Sequence, residues 1–89
     1  MKETVWLYII ECEKRVLYVG ITNSPKRRFN QHNDGGSWLT KRLRPKRLKC
    51  LRMIGSRREA LREESRVTRM THRQKLRYIK EHGIQRSIE

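Results

Sequence analysis

Two apolar segments lie almost end to end near the start of the chain, and they restrict the fold more than any other feature. Residues 4–11 and 15–22 are rich in β-branched and aromatic side chains and are apolar almost throughout. Only Cys12, Glu13 and Lys14 separate them. That break is too short for a crossover and fits an antiparallel hairpin. Near-continuous apolarity implies that both faces of the hairpin are covered. Directly opposed residues share a face, and a three-residue turn centred on Glu13 sets Tyr8 opposite Tyr18. A shift of two residues keeps the tyrosines together, whereas a slip of one separates them. Gly20 lies two positions beyond Tyr18 on the same face. A glycine there marks either a bend or bulge, or the close approach of a ligand or another backbone.

The remaining elements follow from caps and stops. Ser24 suits an N-cap and Pro25 a first helical residue. This predicts a helix to about residue 33, ended by Gly35 and Gly36, with Arg28 and His32 one turn apart on one face. Residues 37–45 are irregular and basic. A third strand over 46–54 is expected to show Leu48, Cys50 and Arg52 on one face and Lys49, Leu51 and Met53 on the other. Ser56 with Glu59, and Thr71 with Gln74, read as capping boxes that open two further helices. The first carries Ala60, Leu61, Val67 and Met70 as its apolar stripe. The second turns Leu76 and Ile79 inward and stops at Gly83. The fold class is therefore α/β: a small three-stranded antiparallel sheet flanked by helices, ordered β-β-α-β-α-α. A single domain over residues 1–83 is expected, with a loose tail over 84–89.

Charge narrows the class of partner. The 89 residues hold 23 Lys and Arg against 9 Asp and Glu, a formal net charge of +14. Such an excess cannot be neutralised internally and selects nucleic acid over acidic-ligand carriage. Gly20, Lys26, Arg27, Trp38, Lys41, Arg42 and Arg44 are the candidate nucleic-acid contacts, Trp38 by stacking on a base or, alternatively, by closing the core. The longest apolar run, residues 5–10, is far short of a membrane span and lacks signal-peptide flanks. A cytoplasmic protein is expected. Cys12 and Cys50 are read as free, partly buried thiols in a reducing compartment.

Glu64 is out of place. It lies within helical spacing of Ala60, Leu61 and Val67, inside the apolar stripe, where a carboxylate is costly unless paired or bound to metal. Glu59 and Glu63 fall off the stripe and read as solvated.

Together these residues resemble the GIY-YIG nuclease superfamily, in particular its short stand-alone bacterial and phage members. The resemblance rests on Tyr8 in strand one and on Leu17, Tyr18, Val19, Gly20, Ile21 and Thr22 in strand two. It extends to Arg27, Arg28 and Phe29, to Gln31, His32 and Asn33, and to Glu59 through Glu64, in that order. Two positions depart from it. Trp6 and Leu7 replace the Gly and Ile of the first motif, and no asparagine follows Asn33. The resemblance implies a metal-dependent endonuclease of low intrinsic sequence specificity, acting on DNA, branched or structured DNA included, with RNA as an alternative substrate. It implies a site of Tyr8, Tyr18, Arg28, His32 and Glu64, with Glu64 holding one Mg²⁺ or Mn²⁺. Arg28 offers a planar fork for phosphate oxygens. A tyrosine acting as general base needs nearby cations to lower its pKa from about 10. Each residue also has a structural alternative: aromatic packing across the hairpin, an Arg28–Glu64 pair, or a helix-end histidine. The rival function is a non-catalytic nucleic-acid-binding protein. A protein partner or a homodimer is compatible with either.

Overall fold

The structure is a computed structural model, which describes residues 3–28 and 44–85. Three strands, β1 (Val5–Cys12), β2 (Leu17–Thr22) and β3 (Pro45–Gly55), form one antiparallel sheet in the order β2-β1-β3. Residues 25–28 are helical after β2. Two helices follow β3: α1 (Arg57–Thr68) and α2 (His72–His82). The expected α/β architecture and element order are present. Phe29, Asn30 and the stretch to residue 43 lie outside the described residues. With them go the expected contacts His32, Trp38, Lys41 and Arg42.

The hairpin turn differs from the expected one. A 3-10 turn over Glu13–Arg15 connects the strands, with Lys14 and Arg15 at φ 61° and 63°. The Cys12 N–H donates to the Val16 carbonyl at 2.7 Å. The turn thus centres on Lys14 rather than Glu13, and the register moves by two: Tyr8 pairs with Gly20, and Tyr18 with Ile10. Because the shift is even, both tyrosines stay on one face.

Each face of the sheet carries its own apolar cluster. Leu7, Ile9, Leu17, Val19 and Cys50 pack with Val67 of α1 and Tyr78 of α2. Tyr8, Ile10, Cys12 and Leu51 form the opposite cluster, with Trp6, Tyr18 and Leu48 against it. The expected alternation along β3 fails at Leu48. The pairings Ile9 with Cys50 and Ile10 with Leu48 skip Lys49, a bulge that turns Leu48 onto the tyrosine face while Cys50 faces the helices. Both cysteines are free and buried, and burial pushes their thiols up, Cys50 to about 11.

Both capping boxes form, at Ser56 with Glu59 and at Thr71 with Gln74. Ala60 and Val67 are fully buried, but Leu61 is 50% exposed and Leu76 is 46% exposed. Tyr78 goes inward where Leu76 was expected. Its hydroxyl explains the exchange, because it donates to Glu63 Oε2 and accepts from Arg52 Nη1, each at 2.9 Å. Glu63 is therefore not a solvated residue. Its carboxylate also accepts from Arg52 at 2.9 Å and from Arg66 at 2.7 Å, tying β3 to both helices.

The start of the C-terminal segment is bound rather than loose. Ile84 bridges Leu51 in parallel on the outer edge of β3. Leu51 N–H donates to Gly83 O at 3.0 Å, Gln85 N–H to Leu51 O at 2.7 Å, and Met53 N–H to Gln85 Oε1 at 2.6 Å. The segment thereby satisfies edge groups of β3. Residues 86–89 lie outside the described residues. No helix among those described is long and apolar enough to cross a membrane.

Candidate active site

The site is built around Tyr8, at the centre of the middle strand and only 2% exposed. Its ring lies over Gly20 of β2. A Cβ placed on Gly20 would fall 2.5 Å from both Cζ and Oη of Tyr8. Of the two sequence readings of this glycine, close approach is the correct one, and what approaches is a side chain. Tyr18, two pairs further along on the same face, brings its ring centroid to 6.2 Å from that of Tyr8 at 39°. The Tyr18 hydroxyl lies close enough to that of Tyr8 to raise its pKa.

Two charged residues reach the same place from other elements. β2 ends where the Ser24 N–H donates to Thr22 Oγ1 at 3.0 Å, and the Arg28 N–H donates to Ser24 O at 3.0 Å. This turn starts the helical residues 25–28 and sets Arg28 electrostatically beside Tyr8. Glu64 comes from α1, between the buried Ala60 and Val67, and its charge also acts on Tyr8. Of the residues expected from sequence at one site, the fold brings Tyr18, Arg28 and Glu64 within electrostatic reach of Tyr8. His32 lies outside the described residues.

Burial dominates the electrostatics of Tyr8. Arg28 does lower the pKa of Tyr8, but burial, the charge of Tyr18 and that of Glu64 raise it more, and the net result is about 12. Tyr8 therefore keeps its proton at neutral pH. Glu64 is half-buried, and burial holds its carboxyl above the ordinary carboxylate value. Among the described residues Glu64 forms no hydrogen bond or ion pair, so the Arg28–Glu64 pair is not made. No group of three or more His, Cys, Asp or Glu among the described residues is arranged to hold an ion. A lone, accessible carboxylate fits Mg²⁺, which keeps several waters and binds through one or two carboxylates plus substrate phosphate. It does not fit a closed zinc site.

The cations divide by position. Lys26 and Arg27 are exposed beside Arg28. Arg44 sits at the other end of the sheet, next to the hairpin turn, where it pairs with Glu13 at 3.8 Å. At roughly 3.4 Å per residue, four strand residues place that end well over 10 Å from Tyr8. Arg57 is not among the contacts expected from the sequence. In the fold it stands at the start of α1 and shares a small cavity with Arg27 and Arg28. Only the long-range pairing of Val5 with Gly55 brings it there, and no local pattern reports that.

A three-stranded sheet with a tyrosine pair, a helix-borne arginine and a later glutamate defines a class, and comparison with known proteins agrees. The GIY-YIG catalytic domain model matches residues 4–82, and the chain belongs to that family. It is similar to the UPF0213 protein of Streptococcus agalactiae serotype V, 37% identical over 92% of this chain and 94% of that one. It is also similar to the UPF0213 protein of Cronobacter sakazakii, 45% identical over 82% of this chain and 78% of that one. A third relative, from Syntrophus aciditrophicus, is 36% identical over 85% and 90%. These names state no activity. No solved structure gives a significant match.

Proposed function

We propose that this chain is a metal-dependent endonuclease that hydrolyses phosphodiester bonds in DNA, with low intrinsic sequence specificity. The observation that carries this reading is the convergence on Tyr8 of Tyr18, Arg28 and Glu64, from three other elements, in a protein of charge +14. Pure binding requires neither a packed tyrosine pair nor a half-buried carboxylate without a partner among the described residues.

The residues divide the work by their surroundings. Arg28 takes a phosphate oxygen in its guanidinium fork and faces the charge that builds in the transition state. Tyr8 is buried and protonated, so it orients rather than accepts. Its ring and hydroxyl, packed against Tyr18, orient the hydroxyl of Tyr18. Tyr18 is only partly covered and is the tyrosine that water can reach, so it is the one that, as tyrosinate with its own proton released to solvent, takes the proton of the attacking water. Glu64 would hold Mg²⁺, with Mn²⁺ able to replace it. When bound, that ion supplies neutralisation of the phosphoryl oxygens and of the leaving oxygen. His32 relays the proton or orients a tyrosine.

Binding comes from the basic surface. Lys26 and Arg27 beside the site and Arg44 at the other end of the sheet contact the nucleic acid, together with Trp38, Lys41 and Arg42. Affinity therefore falls steeply with salt, by roughly one unit of log–log slope per phosphate neutralised. Incubation of supercoiled plasmid and of branched DNA with Mg²⁺ tests the reading, with nicked or linear product expected. Protein that binds DNA or RNA but cuts neither, with Mg²⁺ or Mn²⁺, is instead a non-catalytic nucleic-acid-binding protein.

A further inference from the structure

Beside the tyrosine site lies a second feature that shares only Arg28 with the proposed chemistry. Residues Thr22, Asn23, Ser24, Arg27, Arg28 and Arg57 line a cavity of about 100 Å³ whose wall is almost wholly polar. That is room for several waters, but well below the 300 Å³ or more of a typical organic-ligand pocket. Three guanidiniums meet there against the single carboxylate of Glu3. Glu3 accepts from Arg57 Nε at 2.9 Å and from Asn23 Nδ2 at 2.6 Å, and both bonds hold its carboxyl below the ordinary range. Arg27 and Arg28 form no ion pair among the described residues. The local formal balance is therefore three cations to one anion. Arg28 belongs to both places, because it lines the cavity and acts on Tyr8.

We infer that this cavity binds the phosphate next to the scissile one on the same strand, with Arg57 as its positioning residue and Glu3 as a resident counter-anion that the phosphate displaces from Arg57. The inference rests on the nuclease reading for the word scissile. The anion site itself stands on the cavity and its charges. A small, polar, cationic cavity selects a single phosphate over a base or sugar, and sharing Arg28 fixes its place one step along the backbone. Holding that neighbour fixes where along the strand the reacting phosphate lies, without reading sequence.

The test is NMR titration of the full chain at low salt, without divalent metal, using a thymidine dinucleotide bearing a phosphate at its 5′ end, at its 3′ end, or at neither. One of the terminal phosphates is expected to raise affinity about three- to tenfold and to shift the Arg57 and Arg28 Nε–H signals. Arg57→Gln should abolish that gain, and Glu3→Gln should enlarge it. Arg77→Gln, an exposed cation on α2 away from the cavity, should leave it intact. If Arg57 served only to pair with Glu3, the two cavity variants would move affinity in the same direction, which overturns the inference. So does a gain that survives Arg57→Gln, or no gain from either terminal phosphate. Because no metal is present, cleavage is not being read. A chain that cuts nothing but shows the Arg57-dependent gain keeps its phosphate site and loses only the nuclease reading.

Discussion

The ring of Tyr8 occupies the space that a side chain at position 20 would need: a Cβ on Gly20 would sit 2.5 Å from its hydroxyl oxygen. The neighbour is the terminus of a buried ring in the middle of a sheet, so it cannot swing aside without disturbing the apolar face it belongs to. Gly20→Ala is therefore expected to destabilise the protein by about 1–3 kcal/mol, the range for overpacking a core. It should also displace the Tyr8 hydroxyl from Tyr18. Chemical denaturation of Gly20→Ala, of Tyr8→Ala and of the double variant checks this. The alanine at position 20 should cost markedly less once the Tyr8 ring is gone. Equal costs in both backgrounds would mean that the two positions are not coupled.

Glu63 provides a pH-dependent term. Its hydrogen bonds from Arg66 lead the causes that lower its pKa to about 2, with Tyr78 and the charges of Arg66 and Arg52 adding to them and burial opposing. An unfolded Glu titrates near 4.3. A depressed folded value stabilises fully above the unfolded one and is lost as pH falls toward about 2. Glu63→Gln should therefore lower stability by about 1–3 kcal/mol at pH 7. The gap between wild type and variant in urea unfolding should shrink from pH 5 down to pH 2. A gap that stays constant through that window would show that the carboxylate charge contributes nothing.

Glu64 behaves in the opposite sense. Burial holds its carboxyl above the ordinary value, so it loses its charge at a higher pH than an exposed glutamate does. Mn²⁺ affinity, followed by calorimetry, should accordingly begin to fall with acid above the ordinary Glu range. Glu64→Gln should abolish binding while leaving the thermal transition in place. Undiminished Mn²⁺ binding in that variant would remove the metal role from Glu64.

The segment after α2 is expected to contribute to stability. Truncation before Gly83 removes two backbone hydrogen bonds to Leu51 and the Gln85 contact to Met53. A loss of about 1–3 kcal/mol should follow, with faster amide exchange at Leu51 and Met53. Unchanged exchange at both amides would mean that the edge is not held by this segment.

How much of this was legible in the sequence depends on the range of the interaction. The strands, both capping boxes and the shared face of Tyr8 and Tyr18 are local, set by periodicity, by Ser and Thr caps and by parity. Glu64 betrayed itself by falling between Ala60 and Val67. The bulge that turns Leu48 over, the burial of Tyr78 in place of Leu76, and the role of Glu63 were not legible. Each depends on a partner far away in sequence: Ile10 for Leu48, and Arg52 for both Tyr78 and Glu63. The hairpin turn was misjudged by one position because Lys14 and Arg15 adopt positive φ, which their residue types do not advertise. The raised pKa of Tyr8 was not legible either, since cations can be counted in a sequence and burial cannot.

The central claim is that Tyr18, oriented by Tyr8, activates water against a phosphodiester that Arg28 holds. The most direct test is the cleavage rate of supercoiled plasmid in Mg²⁺ by wild type, Tyr18→Phe and Arg28→Ala, with DNA affinity measured in parallel. Wild type should cut. Both variants should lose about 100- to 1,000-fold in rate, because they remove groups that act mainly in the transition state, while affinity changes little. Normal cleavage by Tyr18→Phe, or wild-type protein that binds DNA and never cuts it, would contradict the account.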